Sequence, residues 1–135
     1  MANALYDKGR EGFLDGSIDW DTHTIKAVLL DGADYTPNLA THDNLDDVPA
    51  AARVGTPQTL ANKTVTNGVA DADDITFPNV TGDPCEYILL YKDTGVEATS
   101  RLIALFDTAT GLPVTPNGGN ITVSWDNGAN KIFKL

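Results

Sequence analysis

Apolar positions in the second half of the chain either alternate with polar ones or form short runs, as expected of β-strands. Residues 121–125 alternate strictly, and the turn sequence Asp126-Asn127-Gly128 follows them. This pattern predicts a β-hairpin in which 121–125 pairs with 131–135. The runs 86–92 and 101–106 are almost wholly apolar, which predicts strands that are buried on both faces, between layers.

Shorter strands are predicted where β-branched or aliphatic residues end at a turn sequence or a proline. They lie at 24–30, 62–66 and 74–77. Turns that recur this often are typical of a sandwich or a barrel. A chain of 135 residues also has the length of one ordinary domain. The sequence therefore predicts a single mainly β domain over 1–135, a two-layer antiparallel β-sandwich or jelly-roll-like fold.

The first segment has a different period and predicts a short helix inside an N-terminal arm, 1–20. The helix is expected from Asn3, which would cap its start, to about Leu14, with Gly16 after its end. Its apolar face would hold Leu5, Tyr6, Gly9 and Phe13. Because glycine weakens an isolated helix, this segment needs a surface to pack on.

That surface belongs either to a partner or to the domain itself. Large aromatic residues and arginine dominate many protein interfaces, which favours a partner. Under this hypothesis a protein interface is formed by Leu5, Tyr6, Arg10, Phe13 and Trp20. The alternative is that the helix covers an open end of the sandwich, because apolar helix faces usually belong to a core.

Residues 31–58 are acidic and interrupted by proline, and they predict a long surface loop. Pro37, Pro49 and Pro57 argue against a long regular element. A helical turn is expected at Asp43–Asp47, capped by Thr41. Loops of this length are uncommon unless they have a function, so we expect this one to contact a partner together with the N-terminal arm.

Net charge restricts the kind of partner. The chain has 19 acidic and 9 basic residues, a formal charge of −10. Such a surface repels nucleic acid and anionic membranes. A neutral or basic protein is the compatible partner, although surplus acid also serves solubility. No apolar run approaches the length of a membrane span, and the first residues lack the apolar core of a signal peptide. Synthesis in a cytoplasm is therefore expected.

Side chains that bind metals or cofactors are few and poorly spaced. His23 and His42 lack the closely spaced ligand partners of a zinc site and are expected at the surface. The acidic run Asp71–Asp74 lacks the glycine and the distant glutamate of an EF-hand loop, and it is expected to be a solvated turn. No metal and no cofactor are therefore predicted.

Catalysis likewise has no strong candidate. Carboxylates at Asp15, Asp19 and Asp21 surround Trp20, an arrangement that would resemble a glycosidase pair only if the protein tuned their environments. Cys85 is the only cysteine, and it has no adjacent base to activate it. We expect a buried, inert thiol and a protein that is not an enzyme.

Four stretches of the sequence carry a resemblance to a known group. They are LYDKGRE at 5–11, YKDTG at 91–95, LPVTPNGG at 112–119 and VSWDNGANKIF at 123–133. Together they resemble small virion proteins of tailed bacteriophages that are regarded as capsid cement or decoration proteins.

The resemblance implies a β-sandwich or jelly-roll-like body bound to the outside of an icosahedral capsid. The partner would be the major capsid protein, the protein would form a homo-oligomer (a dimer or trimer), and synthesis would take place in the host cytoplasm. The group supplies no catalytic residues. A first alternative is a tail-fibre or baseplate module that binds host glycans, which needs an aromatic platform, and Trp20 and Trp125 are the only tryptophans. A small hydrolase is the second alternative.

Overall fold

Antiparallel strands form most of the regular structure in this computed structural model, which describes residues 3–135. The strands are β1 (Ala4–Leu5), β2 (Ile25–Leu30), β3 (Arg53–Thr59), β4 (Thr64–Thr66), β5 (Val69–Asp71), β6 (Ile75–Phe77), β7 (Tyr87–Lys92), β8 (Leu102–Phe106), β9 (Ile121–Val123) and β10 (Phe133–Lys134). One α-helix, α1 (Asp7–Asp15), follows β1. Short 3-10 turns lie at Leu45–Asp47, Ala50–Ala52 and Glu97–Thr99.

The strands form one large sheet and two small ones. The large sheet has the order β1-β8-β7-β2-β3, and the small sheets have the orders β10-β5-β4 and β6-β9. Every pair of neighbouring strands is antiparallel. The predicted mainly β, antiparallel fold with a short N-terminal helix is confirmed. Within residues 3–135, no helix is long and apolar enough to cross a membrane.

Both faces of the large sheet are buried, as the apolar runs predicted. Alternate residues of a strand point to opposite faces. On one face, Ile25, Ile88 and Ile103 belong to a core shared with the small sheets. On the other face, Val28 and Leu89 belong to a second core. The large sheet is therefore a middle layer and needs a cover on each side.

The prediction of a surface loop over 31–58 is correct only in part: residues 31–52 contain no strand and no α-helix, but the segment also supplies the second cover. Tyr35, Leu45 and Val48 are buried in the second core. Residues 53–59 form β3, which pairs with β2 along the edge of the large sheet. Pro57 is tolerated there because an edge strand leaves one row of backbone groups unpaired.

The helical turn in this segment is present but is capped differently. A 3-10 turn covers Leu45–Asp47, and Asn44 rather than Thr41 stands at its N-cap. The Asp47 carboxylate accepts a hydrogen bond from the Asp43 backbone N–H at 2.8 Å. The carboxylate of Asp47 thus closes the turn from its C-terminal side.

The N-terminal helix starts later than predicted. Ala4–Leu5 pairs with β8 as a strand, and α1 begins at Asp7. Asn3 does not cap it, since the Asn3 side-chain oxygen accepts hydrogen bonds from the backbone N–H groups of Asp107 and Thr108, at 2.8 and 3.0 Å. The end of the helix is as predicted, because Gly16 closes it with φ 82°.

The predicted hairpin between 121–125 and 131–135 is wrong. Strand β9 pairs with β6, and β10 pairs with β5. Trp125 at the end of β9 is bonded to another segment: its backbone N–H donates to the Asp74 carboxylate at 2.9 Å, and its indole N–H donates to the Asp73 carbonyl at 3.0 Å. These bonds hold the end of β9 beside a segment 51 and 52 residues away.

Candidate functional site

A surface groove lies between the C-terminal end of α1, residues 18–21 and the small sheet β10-β5-β4. We call it the α1–β10 groove. Its volume is about 410 Å³, within the range of small ligand pockets. Its apolar lining consists of Phe13, Ile18, Trp20, Val65, Phe133 and Leu135, with Ala70 at its base.

Aromatic contacts and one hydrogen bond fix the inner wall of the groove. The Trp20 ring meets the Phe133 ring edge-on, with centroids 5.2 Å apart. The Phe13 and Phe133 ring centroids are 5.7 Å apart. The Trp20 indole N–H donates to the Asp71 carbonyl at 3.2 Å. Since these rings already pack on one another, the groove needs little rearrangement to receive a partner.

Exposed apolar side chains are concentrated at this groove. Val65 is 55% exposed and Leu135 is 59% exposed, and both line it. Leu14, at 87%, directly follows Phe13 of the groove wall. Among residues 3–135, Val96 is the only other large apolar residue of comparable exposure. Single exposed apolar residues are ordinary, whereas a group of them marks an interaction surface.

Two carboxylates form the rim of the groove. Asp19 and Asp21 are exposed and share a side-chain hydrogen bond. This bond lowers the pKa of Asp19 and raises the pKa of Asp21, because one carboxyl donates while the other accepts. The Lys63 ammonium lies nearby and donates to the His23 carbonyl. The groove thus combines an apolar floor with an acidic edge.

The same hydrogen bond argues against the hydrolase alternative. Carboxyl groups that touch leave no room for a sugar and a water between them, whereas glycosidase pairs are about 5–9.5 Å apart. Asp15 does not join the pair, since its carboxylate accepts a hydrogen bond from the Ser17 backbone N–H at 2.8 Å. The acidic cluster around Trp20 therefore lacks the geometry of glycoside hydrolysis.

Of the five predicted interface residues, two line the α1–β10 groove and three lie outside it. Leu5 and Tyr6 are buried in the cores of the chain itself, and Arg10 is exposed and pairs with Asp7 at 3.1 Å. Phe13 and Trp20 both line the groove and each packs on Phe133, and Trp20 is only 3% exposed. Leu5, Tyr6 and the Trp20 ring face are therefore closed to a partner in this conformation, and an interface role stays a prediction for Phe13 and Arg10.

Val65, Phe133 and Leu135 were not identified from the sequence as site residues. Val65 stands alone between two threonines in a short strand, which gives no indication of a patch. Phe133 and Leu135 were assigned to the hairpin that does not form. These positions can be recognised as parts of one site only once it is known that β4 and β10 both pair with β5.

The two histidines, expected at the surface, are half-buried and bonded to nearby residues. The His23 Nδ1 accepts a hydrogen bond from the Asp19 backbone N–H at 2.8 Å. The His42 Nδ1 lies 2.8 Å from the Tyr35 hydroxyl. Each ring thus holds its own turn in place.

Cys85 is buried, as predicted, and burial raises the pKa of its thiol to about 11. A thiol with this pKa is almost wholly protonated at neutral pH and is a poor nucleophile. The prediction of an inert cysteine agrees with this environment.

Carboxylates come together at two places in the part of the chain that the structure describes. These groups are Asp31, Asp34 and Asp83, and Asp43, Asp46 and Asp47. The run 71–74 is not one of them; its backbone carbonyls at 71 and 73 accept the indole N–H groups of the two tryptophans. Exposed acidic groups of this kind are common without a metal.

Comparison with known proteins gives no relative on which to base a function: no family model matches the sequence, and no curated protein matches it significantly.

Proposed function

We propose that this chain is a bacteriophage virion structural protein that binds the outside of the capsid shell and stabilises it, as cement and decoration proteins do. The resemblance in the sequence motivates the proposal. The observation that carries it is the α1–β10 groove, a preformed apolar recess with Val65 and Leu135 exposed beside it. A recess of this kind suits binding to another protein.

Stabilising a shell is a problem of mass action. Packaged DNA strains the shell from within, and a protein that binds only the assembled lattice lowers the free energy of that state. A rigid protein resists expansion of the shell better than a flexible one, because a flexible protein deforms before it restrains the capsid subunits. The large sheet, with a core on each face, supplies this stiffness.

The binding surface must lie on the folded body. Residues 31–58 and the N-terminal arm were expected to reach out to a partner, but both pack on the large sheet instead. The groove is open at the surface and needs no such extension. We therefore place the contact with the major capsid protein at the groove, on a monomer or on a dimer or trimer at the capsid exterior.

The glycan-binding alternative has weaker support. Sugar recognition by stacking needs an open aromatic face. Trp20 and Trp125 are 3% and 8% exposed. Their indole N–H groups are used by the main chain, at 3.2 and 3.0 Å. The two tryptophans therefore form no platform for a sugar.

Co-sedimentation with DNA-free shells tests the proposal. Shells assembled from the major capsid protein of the same genome are mixed with this protein, and the pellet is analysed after centrifugation. We expect saturable binding and a higher melting temperature of the shell. An unrelated acidic protein of similar size and charge is the control. If the chain stays in the supernatant and instead binds host cells, the capsid role is wrong.

A further inference from the structure

We propose that the α1–β10 groove binds an extended basic segment of a partner protein. An apolar side chain of that segment enters the groove, and a neighbouring lysine or arginine contacts the rim formed by Asp19 and Asp21. This inference rests on the proposed function, because it names the chemistry of the partner at the same site.

Size and shape favour a strand-like segment with one or two anchoring side chains. The volume of about 410 Å³ is near the lower end for ligand pockets. Val65 and Leu135 stand open to solvent beside it, so an entering side chain buries them as well. Recognition by a few apolar anchors is the usual way in which a short segment binds a preformed pocket.

Charge complementarity selects a basic segment over other occupants. The rim carboxylates are exposed, and the nearby Lys63 ammonium, which also donates to the His23 carbonyl, offsets at most one of their two negative charges. A cation next to the anchoring side chain therefore meets a rim of opposite charge. A second copy of this chain carries the same net charge of −10 and therefore complements the acidic rim less well than a basic segment does. Nucleic acid and anionic lipid are repelled by the negative charge.

The first experiment measures binding of short labelled peptides by fluorescence polarisation. The probe is end-blocked Lys-Leu-Lys-Leu-Lys, with Glu-Leu-Glu-Leu-Glu and Lys-Ser-Lys-Ser-Lys as controls for charge and for apolar anchoring. We expect measurable binding of the first peptide and much weaker binding of the other two. Equal binding of the acidic and basic peptides overturns the proposal.

Matched variants locate the binding. Val65→Ser is paired with Val96→Ser, because the two valines have nearly the same exposure, 55% and 57%, and only Val65 lines the groove. We expect Val65→Ser to weaken binding at least about tenfold, as loss of an anchor does. Val96→Ser should bind like wild type. Leu135→Ser, at a second exposed position, replaces Val65→Ser if that variant melts early.

The charged rim has its own matched pair of variants. Asp19→Asn with Asp21→Asn removes the rim charge, and Asp34→Asn with Asp46→Asn removes two exposed charges elsewhere. The first double variant should bind at least about tenfold more weakly, and the second within about twofold of wild type. If both double variants lose binding equally, only the net charge matters and the groove is not the site.

Shell binding separates this inference from the proposed function. If shells bind wild type and Val65→Ser equally, and no peptide binds, the inference is overturned and the capsid role stands. If the basic peptide binds in the groove but shells do not bind, the groove chemistry stands and the capsid role falls. Self-association that Val65→Ser abolishes, or binding of a glycan in the groove, identifies a different occupant and overturns the inference.

Discussion

Among single residues, Gly9 is one whose identity is explained by the close contact between α1 and β8. By helix propensity alone, Gly9 should destabilise α1, since glycine disfavours a helix by about 1 kcal/mol relative to alanine. In the structure, a Cβ at Gly9 would lie 2.8 Å from the carbonyl oxygens of Leu102 and Ile103. The helix packs so closely on β8 that a side chain has no room.

Gly9→Ala therefore tests the docking of α1 on β8. Helix propensity alone predicts a gain in stability, whereas the contact with rigid backbone predicts a net loss of about 1–2 kcal/mol. We expect a lower urea midpoint of unfolding. Glu11→Ala, on the exposed side of the same helix, is the control and should change stability by less than about 0.5 kcal/mol. A more stable Gly9→Ala protein would show that the helix does not pack as described.

Four buried groups, Tyr6, Tyr35, Cys85 and Tyr91, have raised pKa values, which makes stability depend on alkaline pH. Burial raises the pKa of Cys85 to about 11 and of Tyr91 to about 12. Burial also raises the pKa of Tyr6, which hydrogen-bonds Tyr35 at 2.8 Å, well above its usual range. Each group stays neutral when folded at a pH at which the unfolded chain ionises it.

The direction of the pH effect follows from proton binding. Above the unfolded pKa values the folded state holds more protons, so the free energy of unfolding falls as pH rises. We expect full stability below about pH 8.5 and a progressive loss from there to about pH 12. Urea unfolding at several pH values measures it, and Tyr91→Phe should make the fall shallower above about pH 10. A midpoint that stays constant from pH 8 to 11 would contradict the burial of these groups.

Among the structural elements, the segment before β3 covers one face of the large sheet, and Arg53 binds its backbone. The Arg53 guanidinium donates to the carbonyls of Leu45 and Val48 at 2.9 and 2.7 Å, and to the Glu97 carboxylate at 2.6 Å. Arg53 pairs on its other side with Leu30 of the large sheet. The segment is thus attached to the body by its backbone as well as by its apolar side chains.

Val48→Ala tests whether this segment is part of the core. Val48 is fully buried, and removal of its two methyl groups should cost about 1–2 kcal/mol through lost contacts and a cavity. Asp46→Ala, two residues away and exposed, is the control and should leave the unfolding midpoint nearly unchanged. Equal midpoints for Val48→Ala and wild type would restore the original prediction of a surface loop.

At the scale of the whole molecule, the position of the groove follows from the layers. The large sheet uses both of its faces for the two cores, so it offers neither to a partner. The small sheet β10-β5-β4 is less covered, and all three residues of β4 are exposed. An exposed surface suited to binding therefore remains where the three-stranded sheet meets the end of the helix.

Stability of the whole protein should not depend on a metal. Excess EDTA is expected to leave the melting temperature unchanged, because each group of three carboxylates brings one oxygen per residue close together, which is fewer than the six to eight that calcium requires. A fall of many degrees that calcium reverses would contradict this. Asp34→Asn and Asp46→Asn, one from each group, would then show which group holds the ion.

Part of the candidate site follows from the sequence. The sequence draws attention to Phe13 and Trp20 as large aromatic residues near the start of the chain, and both line the groove, where each packs on Phe133. Val65 of β4 and Leu135, which directly follows β10, complete the groove from positions far apart in the sequence. Nothing local to either residue shows that β5 stands between their strands, so only the sheet order brings them together.

Local sequence patterns are sufficient to predict the fold class, the central strands and the tight turns. Alternation, apolar runs and turn residues act within a few positions, so 86–92, 101–106 and the turn at Asn67-Gly68 are visible locally. Tertiary structure decided which strands pair and what covers them. Residues 121–125 had a hairpin partner nearby, but Asp73 and Asp74 bonded Trp125 from far along the chain. Strand pairing depends on contacts between segments that are far apart in the sequence, and a local pattern does not contain that information.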